Sequence, residues 1–140
     1  MTGTISTDTT TDTTTDTTAV RAVLDRFYDA WAANDADALV PLYLDDASVV
    51  RPGVVHHSRD ALRAGMAASF AGPLKGSRGV DDAASIRFPG PDTAIVVSTA
   101  GVLMPGEESL PPEREVSATW VLVRRDGEWR IAAYANAPAH

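Results

Sequence analysis

An α+β fold is predicted for this chain, a layer of helices packed on a curved, mostly antiparallel sheet. Two observations predict it. Apolar residues follow helical spacing from Val20 to Trp31 and again from Leu62 to Phe70, and all the long alternating segments come afterwards, the last two joined by Asp126-Gly127. Helices first and strands later is the order expected of a segregated α+β domain.

The first 17 residues are a Thr-rich segment in which Asp8, Asp12 and Asp16 recur every four residues. With no aromatic residue, it has too little apolar surface to offset its ordering entropy, and it reads as a disordered leader. Residues 18–140 read as one domain. Thr17 or Thr18 caps a first helix, whose face of Val20, Val23, Leu24, Phe27 and Trp31 points inward. Asn34-Asp35 ends it, and Asp35 or Asp37 caps a short second helix running through Leu39, Leu42 and Tyr43 and closed by Asp45-Asp46. Pro41 fits there only near the first turn.

Residues 48–50 form a strand, Pro52-Gly53 a turn and residues 54–57 its partner. Ser58 caps a third helix over residues 59–70, with Leu62, Met66 and Phe70 on one face. Strands follow at about residues 80–88, 93–104, 116–125 and 129–136, with Asp126-Gly127 as a two-residue hairpin turn. Such a turn pairs Val123 with Arg130, Val121 with Ala132, Thr119 with Tyr134 and Ser117 with Asn136, all on one face. Trp120, Leu122, Trp129 and Ile131 lie on the other. With the helices over the Tyr134 side, the face bearing Trp120, Leu122 and Ile131 is too apolar to be left wet, and a homodimer through it is expected.

Composition narrows the function. The chain has 140 residues, 44% of them hydrophobic, and no cysteine, which excludes disulfides, thiol catalysis and thiolate metal sites. A net charge of −7 argues against nucleic acid. No apolar run is long enough to span a membrane and no secretory start is visible, so a cytoplasmic bacterial protein is expected. His56 and His57 are adjacent on a strand and face opposite sides, so no metal site is expected. No Gly-rich dinucleotide turn or flavin motif is present, and no cofactor is expected.

The run Trp31-Ala-Ala-Asn-Asp-Ala-Asp-Ala-Leu, then Leu42-Tyr-Leu-Asp-Asp-Ala47, the Arg59-Asp-Ala-Leu helix start and Arg124-Arg-Asp-Gly-Glu-Trp-Arg-Ile-Ala-Ala-Tyr-Ala-Asn136 resemble the cone-shaped fold of nuclear transport factor two, ketosteroid isomerase, scytalone dehydratase and the SnoaL-like cyclases. Within that superfamily the chain is most similar to the SgcJ/EcaC group, whose last strand also ends in an aromatic followed by x-Asn. The resemblance implies a small-molecule pocket and a place in bacterial secondary metabolism, notably enediyne polyketide pathways. It does not imply steroid isomerisation. Where ketosteroid isomerases keep a carboxylate base before Pro, Arg51-Pro52 stands. Their oxyanion Tyr aligns with Phe27, the supporting Tyr with Met66 and the second carboxylic acid with Val121.

The candidate site follows from that placement. Arg51 either points into the cone, where a guanidinium binds a carboxylate, enolate or phosphate, or sits at the rim and pairs with Asp45 or Asp46. His56 and Tyr134 are the candidate proton carriers. Phe27, Trp31, Met66 and Phe70 are the candidate apolar lining, with Thr119, Val121 and Asn136 as further ligand contacts. The loop from Pro105 to Pro112 is either a lid over the mouth or a solvated loop, and Asp81-Asp82 reads as a solvated edge. The functional expectation is a protein that binds a hydrophobic polyketide intermediate and modifies it by proton transfer (cyclisation, dehydration or isomerisation). The alternative is a non-catalytic subunit that shields such an intermediate or assists a synthase.

Overall fold

The computed structural model describes the backbone of residues 2–140 and the side chains of residues 14–140. In chain order the elements are α1 (Thr2–Ala32), α2 (Ala36–Leu39), a 3₁₀ turn (Val40–Leu42), β1 (Tyr43–Arg51), β2 (Val54–His56), α3 (Arg59–Ala71), β3 (Arg78–Gly90), β4 (Thr93–Leu103), a second 3₁₀ turn (Pro112–Arg114), β5 (Val116–Arg125) and β6 (Glu128–Pro138). The six strands form one sheet in the order β2-β1-β6-β5-β4-β3. Every neighbouring pair is antiparallel except β1 and β6. The three helices lie against one face of this sheet, which is the α+β architecture expected.

Local chemistry sets the element ends. Asn34 takes a left-handed conformation (φ 50°) that stops α1, a conformation Asn tolerates better than most residues. Its side chain then ties the helix end to a distant loop: Nδ2 donates to the carbonyls of Trp31 and Ser77, and Oδ1 accepts from the Gly76 N–H. Asp35 caps α2 by accepting from the Ala38 N–H at 3.1 Å, and Ser58 caps α3 by accepting from the Ala61 N–H at 3.1 Å. Asp126 (φ 53°) and Gly127 (φ 78°) make the tight β5–β6 turn in the doubly left-handed form.

Three differences from the sequence reading matter. First, α1 begins at Thr2, so its backbone runs helically through the segment read as a leader. Extending a nucleated helix adds one hydrogen bond per residue, and Asp16 is anchored by an ion pair to Arg124 of β5 at 2.7 Å. Second, the second helix stops early. Pro41 lies in the 3₁₀ turn, and Tyr43 already pairs with Ile131 of β6, so residues Tyr43 to Asp46 belong to β1.

The third difference reverses the faces of the sheet. Val123 pairs with Arg130 and Leu122 with Ile131, as the hairpin turn requires. The register then slips, so that Val121 pairs with Ala133, Trp120 with Tyr134 and Ala118 with Asn136, leaving Ala132 as the extra residue of a β-bulge. Beyond the bulge Tyr134 and Asn136 share a face with Trp120, and that face meets the helices. Trp120, Leu122 and Ile131 are at most 1% exposed within the single chain. They form the core with Phe27, Leu39 and Tyr43 and cannot be a dimer surface. The outer face carries Val97, Thr119, Val121 and Val123, of which Val97 and Thr119 are exposed.

Candidate functional site

A cavity of about 430 Å³ lies between the helices and the inner face of the sheet. Phe27, Tyr28 and Trp31 of α1 and Leu62 and Met66 of α3 form its helical wall. Tyr43, Val49 and Arg51 of β1, with Tyr134 and Asn136 of β6, form its floor. Its far rim is Gly101, Val102, Met104 and the segment Glu113–Val116. The wall is aromatic and interlocked: Phe27 meets Tyr28, Tyr43 and Trp120 edge-on at centroid distances of 5.0, 6.3 and 5.0 Å.

Arg51 ends β1 beside the Pro52-Gly53 turn and lines the cavity. Asp45, one of the partners considered for it, instead pairs closely with Arg59. Among the described residues no carboxylate forms an ion pair with Arg51. Its charge is felt by three neighbours: it opposes protonation of His56 and favours ionisation of Tyr43 and Tyr134. Burial nevertheless dominates at both tyrosines and pushes their hydroxyls above the ordinary value, so both stay neutral.

His56 lies on the helix-facing side but does not line the cavity. It sits under α3, where a Cβ placed on Gly65 would come within 2.7 Å of its Cε1. Burial first, and Arg51 second, hold its pKa below the usual histidine value. Tyr134 packs over Trp120 at 4.4 Å, and its hydroxyl accepts a 2.7 Å hydrogen bond from Asn136 Nδ2. The Asn136 Oδ1 is buried with no partner, an acceptor facing a site that a ligand donor would satisfy.

Phe27, Trp31 and Met66 line the cavity. Phe70 does not; it stands behind Trp31 with ring centroids 5.5 Å apart. Thr119 and Val121 lie on the outer face, because the alternation of β5 puts Ala118, Trp120 and Leu122 on the helix side, where the β6 bulge brings Tyr134 to join them. The inner position beside Phe27 is therefore Trp120 and not Val121. The loop before β5 is tethered: Glu107 accepts from the Met104 N–H at 2.7 Å and pairs closely with Arg114, and Leu110 lies over Gly101. Among the described residues no group of three or more His, Cys, Asp or Glu is placed to hold a metal, and no helix is long and apolar enough to cross a membrane.

Sequence reasoning missed two groups, one on β3 and one on β1. Asp81 is half-buried and accepts a 2.7 Å hydrogen bond from the Tyr28 hydroxyl, so it is not a solvated edge. Its pairing with Ala100 turns it to the inner face, a register that its Asp-Asp context does not reveal. The other is Tyr43, whose apparent place in a helix hid its inward position in β1.

Fold and site together define a cone-shaped α+β domain with an apolar, aromatic-walled small-molecule pocket. The model of the SnoaL-like domain matches residues 20–137, and the chain belongs to that family, a small-molecule-binding fold. Among solved structures, a domain of unknown function with a cystatin-like fold from Nostoc punctiforme superposes with a TM-score of 0.82 at 22% identity, covering 91% of this chain and 79% of the other. An NTF2-like protein with a cystatin-like fold from Novosphingobium aromaticivorans gives 0.76 at 22% identity, covering 89% and 82%. These likenesses are of fold. A comparison with curated protein sequences finds no match.

Proposed function

We propose that this protein binds a hydrophobic intermediate of bacterial secondary metabolism, of the enediyne polyketide class that the resemblance to the SgcJ/EcaC group implies, and modifies it by proton transfer in the cytoplasm. The observation that carries the reading is Arg51, a guanidinium that has no carboxylate partner among the described residues and lines an apolar cavity. A ligand carrying an enolate or carboxylate would orient itself there, since a charge-assisted hydrogen bond in a desolvated pocket is strong and directional. Tyr134, held by Asn136, is the proton carrier that lines the cavity, whereas His56 does not line it. An accessory role, shielding an intermediate without turnover, is favoured by one feature. The acidic residues lining the cavity, Glu113 and Glu115, both stand at its rim.

Titration of the full chain with 8-anilinonaphthalene-1-sulfonate, an apolar fluorophore bearing one anion, tests the pocket. Arg51→Ala should weaken binding about tenfold, the loss of roughly one charge-assisted contact. Unchanged affinity would sink the anion-binding role. In a reconstituted pathway, loss of product with Arg51→Ala and Tyr134→Phe supports catalysis, whereas full product with both supports the accessory reading. The homodimer belonging to this reading uses the outer face around Val97 and Val121, and sedimentation of a Val97→Asp variant as monomer beside a dimeric parent tests it.

A further inference from the structure

Tyr28, with Gly79 against its ring, borders the cavity on one side and the protein surface on the other. Its ring separates the main cavity from a surface groove bounded by Arg21, Leu24 and Asp25 of α1 and by Gly79, Val80, Asp81 and Ala83 of β3. The ring fits there because position 79 is glycine. A Cβ at Gly79 would stand 2.6 Å from Tyr28 Cδ1 and Cε1, closer than carbon atoms approach. Two residues on, Asp81 receives the Tyr28 hydroxyl at 2.7 Å. Gly79-Val80-Asp81 is thus a seat for one tyrosine, with the glycine admitting the ring and the aspartate receiving its hydroxyl.

Two more donors surround Asp81 without a bond of good geometry. Ser98 Oγ and Trp120 Nε1 are buried and lack a hydrogen-bond partner, yet both lie near enough to Asp81 to favour its ionised form. The groups facing it are Tyr28 from α1, Asp82 beside it on β3, Ser98 from β4, Trp120 from β5 and Tyr134 from β6, with Arg21 and Asp25 across the groove.

We propose that Asp81 and Tyr28 form a proton conduit from the outer groove to the cavity, with Tyr28 the group that touches the ligand and Asp81 the group that exchanges with water. The inference rests on the pocket chemistry proposed above and adds the proton source that chemistry needs. In the conducting step the hydrogen bond between them reverses: the Tyr28 O–H, which donates to Asp81 in the resting structure, turns to an enolate or phenolate oxygen of the ligand and gives up its proton there, while the protonated Asp81 carboxyl donates its own proton to the Tyr28 oxygen. One O–H bond forms on the ligand and one breaks on Asp81, and the negative charge passes from ligand to Asp81. A hydronium ion of the groove water then restores the carboxyl proton and leaves as water. Burial raises the Asp81 pKa above the ordinary carboxylate value, which keeps the protonated form accessible for this step. The ligand class that follows is an enolisable ketone or phenol with its oxygen on the α1–β3 side and any second anionic group at Arg51.

The test uses 4-nitrophenol, whose absorbance reports its own protonation when bound to the full chain. A conduit sets the rate of proton delivery and not its equilibrium, so the readout is the protonation rate of the bound probe after a pH jump. Asp81→Asn should slow it about tenfold. Tyr28→Phe should slow it equally, and the double variant no further, since either change cuts the same path. Gly79→Ala, which displaces the Tyr28 ring while keeping both polar groups, should do the same and serves if Tyr28→Phe does not fold. Additive changes, or none, overturn the conduit. Failure of 4-nitrophenol to bind at all overturns the pocket reading itself. Arg51→Ala should weaken binding while leaving the slowing by Asp81→Asn intact, and a slowing that vanishes with Arg51 refutes a separate path.

Discussion

Trp31→Ala is the substitution whose cost the structure specifies most fully. The indole is 8% exposed, meets Phe70 edge-on at 5.5 Å and tilts against Phe27 at 5.9 Å. Its Nε1 donates to Ser77 Oγ at 3.0 Å. Deleting a buried tryptophan typically costs about 3–5 kcal/mol. One side of this ring already faces the cavity, so part of the usual contact is absent and the low end, ~3 kcal/mol, applies. Ser77 keeps its own bond to the Leu74 carbonyl at 2.7 Å, so the lost indole bond adds only about 1 kcal/mol. Trp31→Phe, which keeps the edge contacts but not the hydrogen bond, should cost about 1 kcal/mol by itself. Urea unfolding followed by far-ultraviolet circular dichroism resolves the two, with the alanine variant's midpoint lowered by roughly 1–3 M. Equal losses for the two variants would mean that the hydrogen bond, not the ring, holds α1 to the β3 loop, and the packing argument would be wrong.

Gly65→Ala should cost less than about 2 kcal/mol, because the better helix former offsets part of the strain of moving the His56 ring. Its clearer mark is a His56 pKa that rises back toward the ordinary value, read from the ring-proton NMR titration; an unmoved titration would mean that α3 does not bury this ring. The pH dependence of stability has two opposed contributions. His56 has a lowered pKa in the fold, so its contribution is complete above the ordinary value of 6.5 and is lost as pH falls through the lowered one. Asp81 has a raised pKa, so its contribution is complete below the ordinary value of 3.8 and is lost as pH rises through the raised one. Thermal melts across pH should therefore show Asp81→Asn gaining on the parent as pH rises through that window and His56→Ala gaining on it as pH falls below 6.5. A pH-independent difference for either variant removes its assigned role.

Which parts of this were legible follows from what each local signal encodes. Caps and turns are short-range chemistry, so Asn34, Asp35, Ser58 and Asp126-Gly127 could be placed from residue type alone. The inward face of α1 follows from period, and Phe27 and Trp31 do line the cavity. The β-bulge at Ala132 has no such mark. It falls in Ala132-Ala133, where neither residue has a volume or polarity that favours one face, so the alternation past it shifts silently. The misreading of Thr119 and Val121 follows from that slip: with Tyr134 placed on their face, they read as inward with it, whereas the bulge sets Tyr134 on the face of Trp120 and Ala118. Asp81 was hidden for a related reason. Asp82 beside it is exposed, and only the pairing of Asp81 with Ala100 decides which of the two carboxylates turns inward.

The same bulge determines the polarity of the pocket. Had the hairpin kept its regular register, Tyr134 would have pointed outward with Thr119, and the floor beneath Phe27 would have held no hydroxyl from β6. By turning Tyr134 inward over Trp120, the extra residue places its hydroxyl where Arg51 on one side and Asp81 on the other both act on it. Arg51 favours the tyrosinate and Asp81 opposes it, so the two flanks of the cavity carry opposite charge across a neutral phenol. A permanently anionic group of a ligand is then drawn toward Arg51 on β1. A ligand whose oxygen must gain a proton is served from the β3 flank, where the Tyr28 hydroxyl and the Asp81 carboxyl stand in line. A pocket of this kind distinguishes substrate ends by field as well as by shape, which an all-apolar cone with a single Arg would not do.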